Sequence, residues 1–344
     1  MNFRKTILMG AVAMGIIGAA GAGGVLLAGR QNTTVVRRAD SSETARTESS
    51  VSAESDSAGT DNYIKDTFDG SVTYEGVKYE VNTAIDTVLF LGIDSSDQSR
   101  EGIGIDEGGR SDTIILFAID NENKVITPLE INRDTMVNVD IYDNDGNYLA
   151  QGLQHLTMQY SYGNTPSKAS NLIKEKVSDL LCRTRIDSVI SLTMEGIEPM
   201  VDSMGGVTLQ LQTDETEIDP TYTKGTIVHL DGAAAFDFVH TRDIETRGSN
   251  ESRMSRQTQF MLAFFQTIKE TGDSIIETME EAGGDYLYED IDADTMKHFT
   301  EYDRADKVYT LPGDSVEGKL HDEFYVDENK LTELVLELFY KRAE

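Results

Sequence analysis

Apolar residues recur along this chain in two rhythms. Three near-continuous apolar runs, TVLFLGID (87–94), DTIILFAID (112–120) and KVITPLEIN (124–132), are rich in β-branched and aromatic residues. Such runs predict strands buried on both faces. NEN (121–123) between the last two predicts a tight hairpin turn. DSVISL (187–192) and GGVTLQLQ (205–212) predict further strands. The second rhythm is helical. It covers SKASNLIKEKVSDLL (167–181), TMEGIEPMVDSM (193–204), DGAAAFDFVHT (231–241), SRMSRQTQFMLAFFQTIKE (252–270) and DENKLTELVLELFYK (327–341). Strands mixed with helices, one hairpin and two-faced burial predict a layered α/β domain over residues 63–344, with no second boundary inside it.

The segment before that domain is patterned differently. Residues 7–28 carry no charge and are apolar or small. As a helix they would span about 33 Å at roughly 1.5 Å per residue, enough to cross a bilayer core. Arg4 and Lys5 precede them, so residues 1–6 read as a cytoplasmic tail and 7–28 as a transmembrane signal-anchor. A cleaved leader ending at AGA (20–22) is the alternative. Either way the rest of the chain lies outside the membrane. Residues 29–62, dominated from 31 onward by Ser, Thr, Glu, Asp and Ala, read as a disordered, flexible extracytoplasmic stalk.

Charge removes one class of function. The 344 residues include 61 acidic and 30 basic ones, a formal charge of −31. Such a surface repels nucleic acid. Cys182 is the sole cysteine, so no intrachain disulfide forms, and its place on a helical stretch reads as a buried core thiol. DNDG (143–146) fails the calcium-loop pattern, since Ile141 and Gly152 fall on ligand positions, and reads as a turn. The glycines of GIGIDEGG (102–109) do not fit a dinucleotide fingerprint, and neither a P-loop nor a serine-hydrolase elbow is present. The five histidines form no metal pair of the H-E-x-x-H kind.

In so acidic a chain, clustered arginines stand out. Asp94 ends the first strand and Asp112 begins the second; on antiparallel neighbours both carboxylates reach one end of the sheet. Two carboxylates suit a hard cation such as Mg²⁺, which takes oxygen ligands and phosphates. Arg133 and Asp134 follow the third strand, so Arg110, Asp112 and Arg133 converge at that end, where Asp134 can orient an arginine or accept a proton. Arg253, Arg256 and Gln257, spaced i, i+3, i+4, share a helical face, with Asn250 a candidate cap before it. Arg242 ends the preceding helix and Arg247 is a loop charge. Guanidinium forks bind phosphate oxygens bidentately. The competing reading is that these arginines simply pair with surface carboxylates.

Several ordered blocks, LFLGIDS, GRSDTIILFAID, LEINRDTMV, YSYG (160–163), MEGIEPMVDSMGGVTL, LDGAAAFDFVHTRD, SRMSRQTQF and LPG (311–313), resemble the LytR–CpsA–Psr family of Gram-positive envelope proteins over about residues 84–344. The resemblance implies a three-layer α/β/α sandwich with a mixed central sheet and a hydrophobic tunnel for a prenyl chain. It implies a phosphotransferase that moves a glycopolymer, such as teichoic acid or capsular polysaccharide, from an undecaprenyl-pyrophosphate carrier onto peptidoglycan through a phosphodiester bond. It places Asp94 and Asp112 at a Mg²⁺ (or Mn²⁺) ion, with Arg110 beside them. Arg133, Arg242, Arg253 and Gln257 would grip the pyrophosphate, with Arg110, His240 and Arg256 also on its binding side, Arg256 either behind the others or as a clamp, and Asp134 is the candidate base. The implied location is the cell membrane, single-pass, with the catalytic domain outside.

Three positions depart from the family pattern. His240 stands where V-R-x-R has its first arginine, a place where it can still donate to a phosphate. Asn250 replaces a frequent acid and Asn132 a frequent proline. The Asn132 change is of small consequence. His240 and Asn250 leave room for a non-catalytic binding or regulatory protein for phosphorylated wall precursors, and a prenyl-pyrophosphate hydrolase using the same residues is a further reading.

Overall fold

The computed structural model describes residues 65–66, 70–95, 109–241, 249–272, 274–291, 295, 298, 300–319 and 321–343. In chain order the first strands are β1 (Lys65–Asp66), β2 (Ser71–Tyr74), β3 (Val77–Val81), β4 (Ile85–Ile93), β5 (Ser111–Asp120), β6 (Val125–Glu130), β7 (Met136–Tyr142) and β8 (Tyr148–His155). Helix α1 (Pro166–Leu180), β9 (Ser188–Thr193), α2 (Ile197–Ser203), β10 (Val207–Gln210), β11 (Ile227–Leu230) and α3 (Gly232–His240) follow. Then come α4 (Ser249–Thr271), α5 (Ser274–Gly283), β12 (Leu287–Glu289), β13 (Asp303–Arg304) and β14 (Tyr309–Thr310). The chain closes with β15 (Gly313–Glu317), β16 (Asp322–Val326), α6 (Glu328–Phe339) and β17 (Tyr340–Arg342).

The central sheet runs β12-β9-β4-β5-β6-β13, with β14 also on β6. Strand β5 is antiparallel to β4 and β6, whereas β9 is parallel to β4 and β13 parallel to β6, so the sheet is mixed. Side chains alternate across it. Val88, Phe90, Ile115 and Phe117 face a core closed by α2, α3, α4 and α5. Leu89, Leu91, Ile114 and Leu116 face a second core closed by α1 and α6. Both faces are therefore covered, which explains the unbroken apolar runs of β4 and β5. Each fully buried Leu or Phe contributes about 1.5–3 kcal/mol, and Phe90, Phe117, Leu89 and Leu91 all lie at the centre. The expected three-layer α/β/α arrangement is the observed one.

Local chemistry fixes the helix starts. Thr165 caps α1 by accepting from the Lys168 amide, with Pro166 at the first position; Asp231 caps α3 and Asp327 caps α6 in the same way. DNDG is a turn, with Gly146 at φ +81° and Asp143 accepting from the Asp145 and Asn147 amides. Two expectations are corrected. Cys182 is not on the helix but just beyond its end, at φ +56°, and is only half-buried against the core. Helix α4 begins at Ser249, so Asn250 lies inside its first turn rather than before it. The predicted tail, signal-anchor and stalk (1–62) lie outside the described residues. Among the described residues no helix is long and apolar enough to cross a membrane.

Candidate functional site

Because β5 runs opposite to β4 and β6, the end of β4, the start of β5 and the end of β6 meet at one end of the sheet. Asp94, just after β4, donates its backbone N–H to the Arg110 carbonyl (2.8 Å) and accepts from Arg110 Nη2 at 2.9 Å. The β4–β5 register shifts between Gly92 and Ile93, so that Asp112 is an extra residue on β5. A bulge of this kind re-aims a side chain out of the sheet's alternation. Asp112 is buried and bridges the layers. Its Oδ1 accepts from Thr157 Oγ1 (3.2 Å), and its Oδ2 pairs with Arg133 Nη1 and, at 4.0 Å, with Arg253 Nη1 of α4. Arg253 is wholly buried. Charges this deep persist only when paired.

Arg133 and Asp134 sit on a pinned turn. The Asn132 side chain accepts from the Asp134 amide (2.9 Å), the Arg133 carbonyl accepts from the Thr157 amide (3.0 Å), and the Asp134 carbonyl accepts from the Phe324 amide (2.9 Å). Asp134 Oδ1 lies 3.4 Å from Arg133 Nε. That Nε is buried and forms no hydrogen bond, so its contact with Asp134 is electrostatic. Burial acts to lower the pKa of Arg133, but the carboxylates of Asp112 and Asp134 outweigh it and the net shift is upward. Asp94 is pushed up by burial and by the charge of Asp112, against the lowering bond from Arg110. The two carboxylates therefore feel each other.

Six predicted residues meet at this corner: Asp94, Arg110, Asp112, Arg133, Asp134 and Arg253. Gln257 lines a small cavity with Asp112, whereas Arg256 and His240 are engaged elsewhere. Arg256 shares the buried face of α4 but is fully engaged by protein. Its Nε donates to the Phe238 carbonyl (3.0 Å), Nη1 to Glu215 (3.1 Å) and Glu217 (2.7 Å), and Nη2 to the Thr241 carbonyl. It holds the end of α3 and the 215–217 loop, a clamp rather than a phosphate ligand. Gln257 likewise donates to the Val239 carbonyl (3.3 Å), so it ties α4 to α3. His240 is the last residue of α3 and stacks on Phe236, with ring centroids 5.1 Å apart. A helix C-terminus presents carbonyl oxygens, which disfavours a bound anion. Arg242 and Arg247 lie outside the described residues.

Asp94 and Asp112 are the residues that could hold a hard cation. Asp94 and Asp112 flank one end of the sheet, and among the described residues no third His, Cys, Asp or Glu completes a cluster. Two carboxylates with phosphate and water oxygens making up the rest is the Mg²⁺ pattern. Next to this corner lies a cavity of about 990 Å³. Glu130 and Asn132 of the β6 end line it, facing Met254, Thr258 and Leu262 of α4. A second cavity of about 240 Å³, walled by Phe117, Ile126 and Phe265, shares Leu262 with the first.

A sequence model of the LytR_cpsA_psr family matches residues 41–332. This chain belongs to that family. A relative from Oceanobacillus iheyensis, named polyisoprenyl-teichoic acid–peptidoglycan teichoic acid transferase TagU, is 26% identical over 216 residues, covering 61% of this chain and 60% of the relative. The match thus spans less than two thirds of that relative's length. The protein of the same name from Enterococcus faecalis is 26% identical over 234 residues, 65% of this chain and 70% of its own. Among solved structures, TagT bound to LI-WTA superposes with a TM-score of 0.56 at 22% identity, over 74% of this chain and 90% of that one. Protein gbs0355 from Streptococcus agalactiae gives 0.58 at 18% identity, over 74% and 87%. These likenesses establish the fold.

In this LytR_cpsA_psr chain, sequence reading missed the residues that brace the corner. Thr157 reaches Asp112 from the segment after β8, and Ser161 Oγ donates to the Gly109 carbonyl (2.7 Å) beside Arg110. The YSYG block was the available signal, since it lies within the same turn of chain. Asn132, read as a substitution of small consequence, supplies a side-chain bond to the Asp134 amide that proline cannot make.

Proposed function

We propose that this chain is an extracytoplasmic phosphotransferase that moves a glycopolymer from a polyisoprenyl-pyrophosphate carrier onto peptidoglycan through a phosphodiester bond. The observation that carries the proposal is the buried Asp112, bridged to Arg133 and Arg253 beside a partly apolar cavity. The names of the TagU relatives support it. Phosphoryl transfer needs positioning and charge neutralisation more than covalent help. Arg133 and Arg253 would stabilise charge on the transferred phosphate, and Asp112 holds both forks in place. Asp134 orients Arg133. Arg110 balances Asp94 at the rim. Asp94 and Asp112 would hold Mg²⁺ (or Mn²⁺), which when bound neutralises phosphate charge. The adjoining cavities would take the prenyl chain, with Leu262, Gln266 and Arg304 lining both. Residues 7–28 would anchor the protein in the cell membrane as a single pass, with 29–62 as a stalk, and Arg242 would join the phosphate grip.

The test uses the full-length chain in detergent with a prenyl-pyrophosphate-linked glycan, Mg²⁺ and a peptidoglycan oligomer. Prenyl phosphate release that requires the oligomer supports transfer. Release without it indicates a hydrolase, and tight binding without release indicates a binding protein.

A further inference from the structure

Beside Asp134 stands a histidine that the site as described does not use. His155 ends β8 directly opposite Met136, two residues after Asp134. Its Nδ1 lies 3.9 Å from Asp134 Oδ1, and its side chain is 19% exposed. The ring of His321, just before β16, stands edge-on to it with centroids 6.3 Å apart. Asp134 Oδ1 thus lies between two cation-forming groups, the Arg133 guanidinium and the His155 imidazole. A carboxylate so placed can orient both groups. At 3.9 Å the pair is an electrostatic contact rather than a hydrogen bond, and an imidazole with a carboxylate beside one nitrogen can take a proton on the other.

Resting on the transferase reading, we propose that His155 is the general base for the acceptor sugar hydroxyl, with Asp134 as its positioning residue. In the step, the hydroxyl oxygen attacks the glycan-bearing phosphorus and the new O–P bond forms. The bond from that phosphorus to the bridging oxygen breaks, and prenyl phosphate departs with the electron pair. The hydroxyl proton goes to His155 and then to solvent. The groups facing His155 favour its neutral, accepting form: burial, His321 and Arg133 lower its pKa, while Asp134 and Glu323 oppose them, and the net direction is downward.

The transfer assay, run across pH with wild type, His155→Gln and His321→Gln, tests this. The wild-type rate should fall at low pH as His155 takes up its proton. His155→Gln should lose about a hundredfold in kcat, lose that acidic limb, and keep the wild-type KM for the prenyl-pyrophosphate donor. Removing His321 relieves a neighbour that lowers the pKa of His155, so His321→Gln should move the limb to higher pH. A His155→Gln variant with the wild-type rate and limb overturns the inference. If that variant loses donor binding as well, His321→Gln decides: an unmoved limb overturns the proposal, and an upward move supports it. A wild-type chain that makes no linked product overturns the transferase reading itself, and this inference with it.

Discussion

Arg256 should be a stability residue and not a catalytic one. Its guanidinium is wholly buried and donates to two backbone carbonyls and two carboxylates. Of those carboxylates, Glu217 is half exposed and adds little, whereas Glu215 is only 3% exposed. Arg256→Met therefore leaves a buried Glu215 carboxylate without its guanidinium partner and orphans the carbonyls of Phe238 and Thr241. Breaking a buried pair from one side costs about 3–5 kcal/mol, a large share of a typical total of about 5–15 kcal/mol. At roughly 2–4 °C per kcal/mol for a domain this large, the melting temperature should fall by about 10 °C. Adding Glu215→Gln removes the stranded charge and should restore about 1–3 kcal/mol. Urea and thermal unfolding of the two single variants and the double variant measure this coupling. A loss below about 1 kcal/mol for Arg256→Met, or no recovery in the double variant, refutes the clamp. So does a tenfold loss of kcat at unchanged stability, which would return Arg256 to the phosphate site.

Other outcomes follow from the same geometry. Glu289 has a buried Oε2 without a hydrogen bond, and its pKa is pushed up to about 8 by burial and the charge of Glu280. The folded state thus holds this proton more tightly than the unfolded one. Stability from this group is complete below the ordinary value of 4.5 and is lost as pH rises through about 8. Glu289→Gln should raise the melting temperature at pH 8.5 with little change at pH 4, and equal effects at both values would contradict this. Thr157→Val removes the hydroxyl that holds Asp112 and should lower kcat roughly five- to tenfold, matching about 1 kcal/mol for one hydrogen bond, while circular dichroism stays native. Leu262→Trp narrows the wall common to both cavities. It should raise KM for long-prenyl donors at least about tenfold while sparing donors with short chains, and equal effects on both would remove the cavities from the lipid path.

The layered core was legible because its signals are local. The runs at 87–94 and 112–120 become β4 and β5 almost residue for residue, and the helical stretches become α1, α3, α4 and α6. The site's inner group was legible for the same reason, since antiparallel pairing of three strongly patterned strands carries Asp94, Asp112 and Arg133 to one end. Three things were hidden. The β7–β8 ribbon has weak patterning, with Tyr148, Leu149 and Leu153 exposed, so its strands gave no alternation to read. The bulge that re-aims Asp112 is a property of strand pairing, which a single strand's pattern does not encode. The direction taken by Arg256 and Gln257 depends on which carboxylates and carbonyls α3 and the 215–217 loop bring to α4. Helical spacing put Arg253, Arg256 and Gln257 on one face, as observed, but it does not say that Arg256 turns away from Asp112 to Glu215 and Glu217.

The most direct test is the transfer reaction itself, run with wild type and Arg133→Ala side by side. The full-length chain is given a prenyl-pyrophosphate-linked glycan, a peptidoglycan oligomer and Mg²⁺, and the oligomer is analysed by mass for a phosphodiester-linked glycan. The geometry predicts linked product from wild type and a loss of at least about a hundredfold in Arg133→Ala, because one guanidinium is removed from the transferred phosphate. Linked product at the wild-type rate from Arg133→Ala would contradict the placement of the phosphate at the Asp112–Arg133–Arg253 corner.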